Sequence, residues 1–194
     1  MRCQRRARSA LAGLAGWATA AGRARYRVRQ FRRALAPVVH ARDRALAAAV
    51  LTPAQHAAFA RLPAADRRHA AAVLRLLLAA GARDPDLLVA ALLHDLGKVA
   101  ADGRGRARLP HRVAKVLLER YWPAAWARAS ARPRRGPLRG CYLLHHHPAL
   151  GAARAARLGA SPRACALIAA HQDGPPPPGL EDALRLLRWA DDRA

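Results

Sequence analysis

The 194-residue sequence has few of the residues from which β-sheets and disulfide frameworks are built. It contains two Phe, one Ile, three Cys and no Asn. β-Branched and aromatic residues favour strands, whereas the Ala, Leu and Arg that dominate this chain favour helices. No segment reaches the roughly 18 uncharged apolar residues of a membrane-spanning helix. The composition therefore predicts an all-α fold with no transmembrane segment, and a chain of this length fits one compact multi-helix domain.

The three cysteines, Cys3, Cys141 and Cys165, form neither a CxxC pair nor an even-numbered framework. Disulfides persist in oxidising compartments and are rare in the reducing cytoplasm. Because the cysteine pattern does not favour disulfides, we expect a cytoplasmic protein.

Acidic residues are scarce: 12 Asp and Glu stand against 35 Lys and Arg, a formal net charge of +23. Only Lys98 and Lys115 are lysines, so arginine supplies nearly all of the positive charge, as GC-rich codon usage would. We expect non-specific binding to polyanions at low salt. A dedicated nucleic-acid-binding or membrane-surface protein is a hypothesis that rests on composition alone.

Three segments are distinguished by composition. Residues 1–22 are predicted to be a basic extension, although a basic start followed by an Ala-rich run also resembles a signal peptide. Residues 23–53 are predicted to be an Arg-rich helical region that caps the domain, with a membrane-surface helix as the alternative. Residues 54–194 are predicted to form the main domain.

Helix starts in the main domain are marked by a capping residue followed by proline at Thr52-Pro53, Asp84-Pro85 and Ser161-Pro162. Residues 121–140 lack a helical period and are predicted to be a surface connection. Further helices are predicted over residues 64–80, 85–97, from 110 onwards, 148–159, 162–171 and 181–192.

The apolar segment Leu87–Lys98, LLVAALLHDLGK, ends in the adjacent pair His94 and Asp95. Burying a carboxylate without a partner costs several kcal/mol, and a bound cation is one of the few groups that offset this cost. Imidazole nitrogen and carboxylate oxygen are common ligands of Zn, Mn and Fe. The pair alone is a weak signal, because a helix-end hydrogen bond would also explain it.

Other His and Asp residues fall on predicted core-facing positions. His69 is in helical register with Val73 and Leu77, and Asp191 is in register with Leu184 and Leu187. His147 is predicted at a helix start and His171 at a helix end, where each side chain can reach a cleft between helices. Taken singly, each has an ordinary explanation, either a satisfied core histidine or a carboxylate at a frayed helix end.

The ordered set His69, His94–Asp95 and Asp191 resembles the H…HD…D motif of the HD-domain superfamily of metal-dependent phosphohydrolases. The segment HHPALGAARAARLGASPRACALIAAHQ is similar to the downstream part of the HD-GYP branch. The resemblance covers about residues 54–192. It implies that His69, His94, Asp95 and Asp191 hold one metal ion, with Asp95 bridging to a second ion.

The same resemblance implies that His147 and His171 serve the second ion, with His146 as a substitute ligand. Asp95 and Lys98 would be the catalytic residues, and Lys98 would contact a substrate phosphate. The cofactor would be one or two divalent ions of Fe, Mn or Zn. Where HD-GYP proteins continue His-His-Glu, this chain has His171-Gln172-Asp173; Gln172 replaces a potential ligand, which weakens the second site, and the Gly-Tyr-Pro loop is missing.

Two functions follow from this resemblance. The first is hydrolysis of a phosphate ester, in a nucleotide or another small phosphorylated substrate, by metal-activated water. The alternative is a non-catalytic HD-type module that binds a ligand or partner in signalling. The intact H…HD…D set favours the first, whereas the altered downstream segment favours the second.

Overall fold

The fold was analysed in a computed structural model that describes residues 40–103, 105–133 and 136–194. The predicted extension over residues 1–22 lies outside the described residues, as does the predicted helical region up to residue 39. The described part therefore comprises the end of that region and the whole main domain apart from three residues.

The described residues form an all-α fold, which confirms the predicted class. No strand occurs among them, and the only sheet-like pairing they contain is one isolated bridge between Val99 and Arg106. A 3-10 turn, Leu96–Lys98, lies between the fourth and fifth helices. The nine α-helices of this part are α1 (Ala41–Val50), α2 (Pro53–Ala60), α3 (Ala64–Ala79), α4 (Pro85–Leu93), α5 (Leu109–Tyr121), α6 (Pro123–Ser130), α7 (Arg139–Arg157), α8 (Pro162–Ala170) and α9 (Glu181–Asp191).

Helix starts follow the predicted capping residues. The Thr52 hydroxyl accepts a hydrogen bond from the Gln55 amide at 3.4 Å, and the Ser161 hydroxyl accepts one from the Ala164 amide at 3.0 Å. The Asp84 carboxylate accepts one from the Asp86 amide at 2.9 Å. Each cap satisfies a backbone donor that has no partner within the first turn.

The core is built around α4, whose residues Ala90, Ala91, Leu92 and Leu93 are fully buried. α3, α8 and α9 pack around it and contribute leucines that are likewise inaccessible to solvent. None of the helices in the described ranges is long and apolar enough to cross a bilayer.

Two helix predictions were wrong. Pro148 does not begin a helix: it lies inside α7, which runs unbroken from Arg139 to Arg157. Residues 121–140 are not only a connection, because they contain α6, whose Trp126 is buried against Cys141 and Leu144. α6 is eight residues long, too short for a helical period to stand out from the sequence.

The predicted helix over residues 85–97 also ends earlier than expected. α4 stops at Leu93, and His94 and Asp95 lead into the 3-10 turn. This turn packs closely on α7, since a Cβ atom on Gly97 would lie only 2.2 Å from the His147 carbonyl oxygen. The absence of a side chain at Gly97 therefore allows the end of α4 to approach α7.

Candidate metal centre

Six of the residues singled out in the sequence come together between α3, α4, α7, α8 and α9. The cluster is formed by His69, His94, Asp95, His147, His171 and Asp191. His94, Asp95, His147 and His171 are buried, while His69 and Asp191 lie at the cluster's partly accessible edge. Three overlapping sets of three residues each offer one ligand atom per residue, and within each set these atoms lie within 4.8 Å of one another. The sets are His69, His94 and Asp95; His94, His171 and Asp191; and Asp95, His147 and His171.

Asp95 occupies the centre of this arrangement. Its Oδ1 atom lies 3.4 Å from His94 Nε2 and 3.6 Å from His147 Nε2. His147 Nε2 lies 3.2 Å from His171 Nε2. Two ligands of one ion, each about 2.1 Å from it, are separated by roughly 3.0–3.4 Å. The atoms around Asp95 are therefore spaced like neighbouring ligands of a cation.

At the other side of the cluster, Asp191 Oδ1 lies 3.6 Å from His94 Nε2. The same oxygen is 2.7 Å from His69 Nε2, so these two side chains share a hydrogen bond. His94 lies between the His69 side and the His171 side of the cluster. Its ring centroid is 5.4 Å from that of His69 and 5.1 Å from that of His171.

Backbone contacts fix the protonation of three imidazoles. His94 Nδ1 lies 3.0 Å from the Ala91 carbonyl oxygen, and His147 Nδ1 lies 2.9 Å from that of Leu144. His171 Nδ1 lies 2.8 Å from the Ile168 carbonyl oxygen. A carbonyl oxygen only accepts, so Nδ1 carries the hydrogen and the neutral ring presents a bare lone pair at Nε2. Those three lone pairs point into the cluster.

Two atoms at the centre have no hydrogen-bond partner. They are His94 Nε2 and Asp95 Oδ1, both inaccessible to solvent. Buried polar atoms without partners are costly, and a ring nitrogen lone pair facing a carboxylate oxygen adds repulsion. A divalent cation would satisfy both atoms, so this buried group of His and Asp side chains could hold a metal ion.

The charge states also suit a cation. Burial raises the pKa of Asp95, but the Lys98 ammonium, 2.6 Å from Oδ2, together with the neighbouring histidines holds the pKa well below its ordinary value. Burial likewise raises the pKa of Asp191, but the hydrogen bond with His69 and the charge interactions with His94 and His69 together lower this pKa below its ordinary value. Both carboxylates are therefore ionised at neutral pH.

The imidazoles respond to burial in the opposite direction. Burial and the nearby Lys98 ammonium lower the pKa of His147 well below its ordinary value. Burial and the proximity of His94 lower the pKa of His171 to about 4. Both rings are thus neutral at pH 7, the state in which histidine binds metals.

We expect the metal-free protein to lose stability in mild acid. Between the ordinary histidine pKa and about 4, the unfolded chain binds a proton at His171 that the folded protein excludes, so stability falls as pH falls through this window. Between about pH 7 and about pH 4.5, His171 alone accounts for a loss of about 2 kcal/mol. Urea unfolding in the presence of a chelator measures this, and a His171→Gln variant should show a shallower pH dependence. An identical pH dependence in that variant would contradict the assignment.

Pro148 contributes to the orientation of His147. In an α-helix the amide of residue 148 would donate to the Leu144 carbonyl, but proline has no amide hydrogen. That carbonyl oxygen is therefore available, and it accepts the hydrogen bond from His147 Nδ1. His94 and His171 achieve the same geometry at the ends of α4 and α8, where the helical hydrogen bonds stop.

Pro148→Ala is expected to weaken metal binding while leaving the fold intact. The restored amide competes for the Leu144 carbonyl, and loss of such a supporting hydrogen bond typically costs roughly 10–100-fold in metal affinity. Thermal stability of the metal-free protein should not fall, since alanine suits a helix interior better. Calorimetric titration with Mn²⁺ or Zn²⁺ tests this. Unchanged affinity would show that Pro148 has no part in orienting His147.

Lys98 stands at the mouth of the cluster. Its ammonium pairs with Asp95 Oδ2, and only 13% of its side chain is exposed. With His69 it lines a cavity of about 240 Å³. Arg68, Arg75 and Arg112 line the same cavity, so its wall is rich in positive charge. Arg75 forms an ion pair with Asp43, and Arg112 with Asp66.

His146 lies elsewhere. Its Nε2 atom is 3.1 Å from the Ser130 carbonyl oxygen and its ring packs on Tyr142, with 4.5 Å between the ring centroids. On a helix, adjacent residues point about 100° apart, so His146 and His147 face different elements. The structure thus brings together six of the seven metal-ligand candidates and separates His146 from them.

Two features of the site were not found from the sequence. The α3 side of the cavity is lined by Ala65, Arg68, Ala72 and Arg75. Their spacing of three and four residues places them on one face of a helix, and this was the signal in the sequence. The second feature is the contribution of Pro148, whose signal was the His-Pro step itself. The same His-Pro step also predicts a helix start, because proline favours the first turn of a helix.

Comparison with protein-family models, with curated protein sequences and with solved structures finds no match to this chain.

Proposed function

We propose that this protein is a metal-dependent phosphohydrolase of the HD-domain type. Its substrate is a phosphate ester in a nucleotide or another small molecule, and its cofactor is one or two divalent ions of Fe, Mn or Zn. The observation that carries the proposal is the convergence of three bare Nε2 lone pairs on the ionised, partly unpartnered carboxylate of Asp95.

The ligand types support this choice of metals. Mixed imidazole and carboxylate donors suit Fe, Mn and Zn better than Mg or Ca, which prefer oxygen alone. Two sets of three residues, His69–His94–Asp95 and Asp95–His147–His171, share only Asp95. This supports a two-ion arrangement with Asp95 between the ions.

The metal ion and the residues of the chain have separate roles in the proposed hydrolysis. A divalent ion held by these residues would polarise a phosphoryl oxygen and would lower the pKa of water toward about 7. The Lys98 ammonium and the arginines of the cavity wall attract and orient the phosphate. Negative charge developing on the phosphoryl oxygens is offset by the same cations. The imidazoles of His147 and His171 remain neutral and keep their Nε2 atoms available as ligands.

The alternative is a non-catalytic module that binds a ligand or partner. The Lys98–Asp95 ion pair favours it, because the ammonium already neutralises part of the negative charge at the centre. In that case the cavity would bind an anion without cleaving it.

The test is metal content, by elemental mass spectrometry of untagged protein purified without chelator, together with a panel of phosphate monoesters and diesters. We expect one or two equivalents of Fe, Mn or Zn. Hydrolysis should be lost with chelator and restored by adding the metal. Bound metal without turnover of any ester would favour the binding module, whereas no metal uptake at all would overturn the metal-dependent hydrolase.

A further inference from the structure

One face of α5 is apolar and exposed. Val113 is 45% exposed, Leu117 47%, Tyr121 63% and the adjoining Trp122 62%. With Val116 they form the α5 stripe, at spacings of three and four residues along the helix. Apart from Leu138, these five are all of the exposed large hydrophobic residues in the described ranges. Contiguous exposed apolar patches of this kind mark interaction surfaces.

The opposite side of α5 anchors the helix to the domain. Leu118 packs against the cluster that contains Trp126 and Cys141. His111 Nε2 donates a hydrogen bond to the Pro137 carbonyl oxygen at 2.8 Å. The helix is therefore fixed with its apolar stripe facing outwards, although no residue of α5 is fully buried.

The part of the sequence that contains the stripe is strongly basic. Between Asp102 and Asp173 the sequence has fourteen Arg and Lys but a single acidic residue, Glu119. Glu119 is paired with Lys115 at 3.8 Å. Arg120 lies beside the stripe, with its guanidinium 5.6 Å from the centre of the Tyr121 ring, and Arg108, which precedes α5, and Arg128 on α6 are exposed.

This charge decides between the candidate occupants. A second copy would bring two basic surfaces together. Residues 1–39 of the same chain contain ten Arg and neither Asp nor Glu, so covering the stripe with them would also bring like charges together. An anionic lipid surface instead combines an apolar layer with opposite charge. Basic residues at the edge of an apolar helix face, with Tyr and Trp at one end, are typical of helices that lie in a membrane interface.

We propose that the α5 stripe docks on the surface of an anionic lipid bilayer. The apolar side chains enter the boundary between headgroups and acyl chains, and the basic rim contacts the lipid phosphates. Arg112 of α5 lines the same cavity as His69 and Lys98, so a docked domain holds this cavity close to the headgroup layer. The docking is independent of metal binding and of hydrolysis.

The first test uses the full chain in co-sedimentation with vesicles of phosphatidylcholine alone or with about one third phosphatidylglycerol. Binding to the anionic vesicles should be at least roughly tenfold stronger, since each Lys or Arg near such a surface contributes about 1 kcal/mol. The double variant Val113→Ser/Leu117→Ser should bind at least roughly tenfold more weakly. Both side chains are exposed, so the variant should retain the helical circular dichroism of the parent.

The matched control removes charge without touching the stripe. Arg163→Gln/Arg185→Gln takes two exposed positive charges from α8 and α9 and should change binding by no more than about twofold. Equal binding by the Val113→Ser/Leu117→Ser variant and the parent would show that charge alone attracts vesicles, which overturns the proposal. The parent protein could instead form a concentration-dependent dimer that Val113→Ser/Leu117→Ser abolishes. That result would show that a second copy covers the stripe, and it would also overturn the proposal.

Trp122 provides a direct probe of insertion. Vesicles with brominated acyl chains should quench its fluorescence in a Trp17→Phe background, and adding Trp122→Phe should remove most of this quenching, because Trp126 is buried and Trp189 is partly buried within the domain. Quenching that persists in Trp122→Phe would locate the membrane contact in another segment of the chain and overturn the assignment to α5.

Discussion

An Asp95→Asn variant is expected to bind no divalent ion tightly and to lose more than about 10³-fold of the proposed phosphoesterase activity. The amide keeps the size of the side chain but removes the negative charge on which His94 and His147 converge. It also leaves the Lys98 ammonium without its carboxylate. Without the carboxylate that the two sets of three residues share, the remaining imidazoles and Asp191 bind a cation only weakly. Elemental analysis and steady-state kinetics on the best substrate measure the two effects.

Asp43→Asn is the matched control for this variant. Asp43 is also a buried aspartate with a cationic partner, Arg75, but it lies on α1 and belongs to none of the ligand sets. Breaking this ion pair should cost stability, on the order of 3 kcal/mol, without changing metal content. If Asp95→Asn retains a full complement of metal, Asp95 is not a ligand and the proposed centre is wrong.

Gly97→Ala is expected to have the largest effect on stability, because the added methyl group meets backbone and not a movable side chain. Its Cβ would lie 2.2 Å from the His147 carbonyl oxygen, 2.8 Å from His147 Cα and 2.7 Å from the Gly151 amide nitrogen. The 3-10 turn must therefore move away from α7. We expect a loss of about 3 kcal/mol or more. For a domain of this size, this corresponds to a fall in Tm of about 6–12 °C.

The same displacement should weaken metal binding. The turn follows directly on His94 and Asp95, while His147 lies on α7, so moving the two elements apart lengthens the distance from Asp95 to His147. Gly103→Ala is the control: it lies in open space at a φ of 70°, and the strain should cost only about 1–2 kcal/mol with metal affinity unchanged. Equal losses in the two variants would show that the close approach at Gly97 is not important for the fold.

The sequence was informative wherever the physical cause is local. Thr52, Asp84 and Ser161 cap helices because their side chains reach amides two or three residues ahead, an interaction within one turn. The composition predicted a helical fold because the β-branched and aromatic residues that favour strands are scarce along the sequence. Helical register likewise placed Asp191 on the apolar side of its helix, since register depends only on the angle between successive residues.

Local reasoning failed where two outcomes share one local signal. Proline favours the first turn of a helix, so His147-Pro148 was interpreted as a start, yet α7 accommodates the proline because the His147 side chain takes over the vacant carbonyl. Val113, Val116 and Leu117 share a face that would suit a core as well as a surface. Only the packing of α5 against α6 and α7 leaves that face exposed.

The sequence by itself thus determined the helical class, most helix starts and the residue types able to bind a metal. The resemblance predicted that six of those residues meet around Asp95, but only the tertiary structure could show how they are placed and that His146 does not join them. The physical reason is that spacing along a helix sets the direction of a side chain from its own axis. Its neighbours across space depend on how five helices pack, and at Gly97 that packing depends on the absence of a single methyl group.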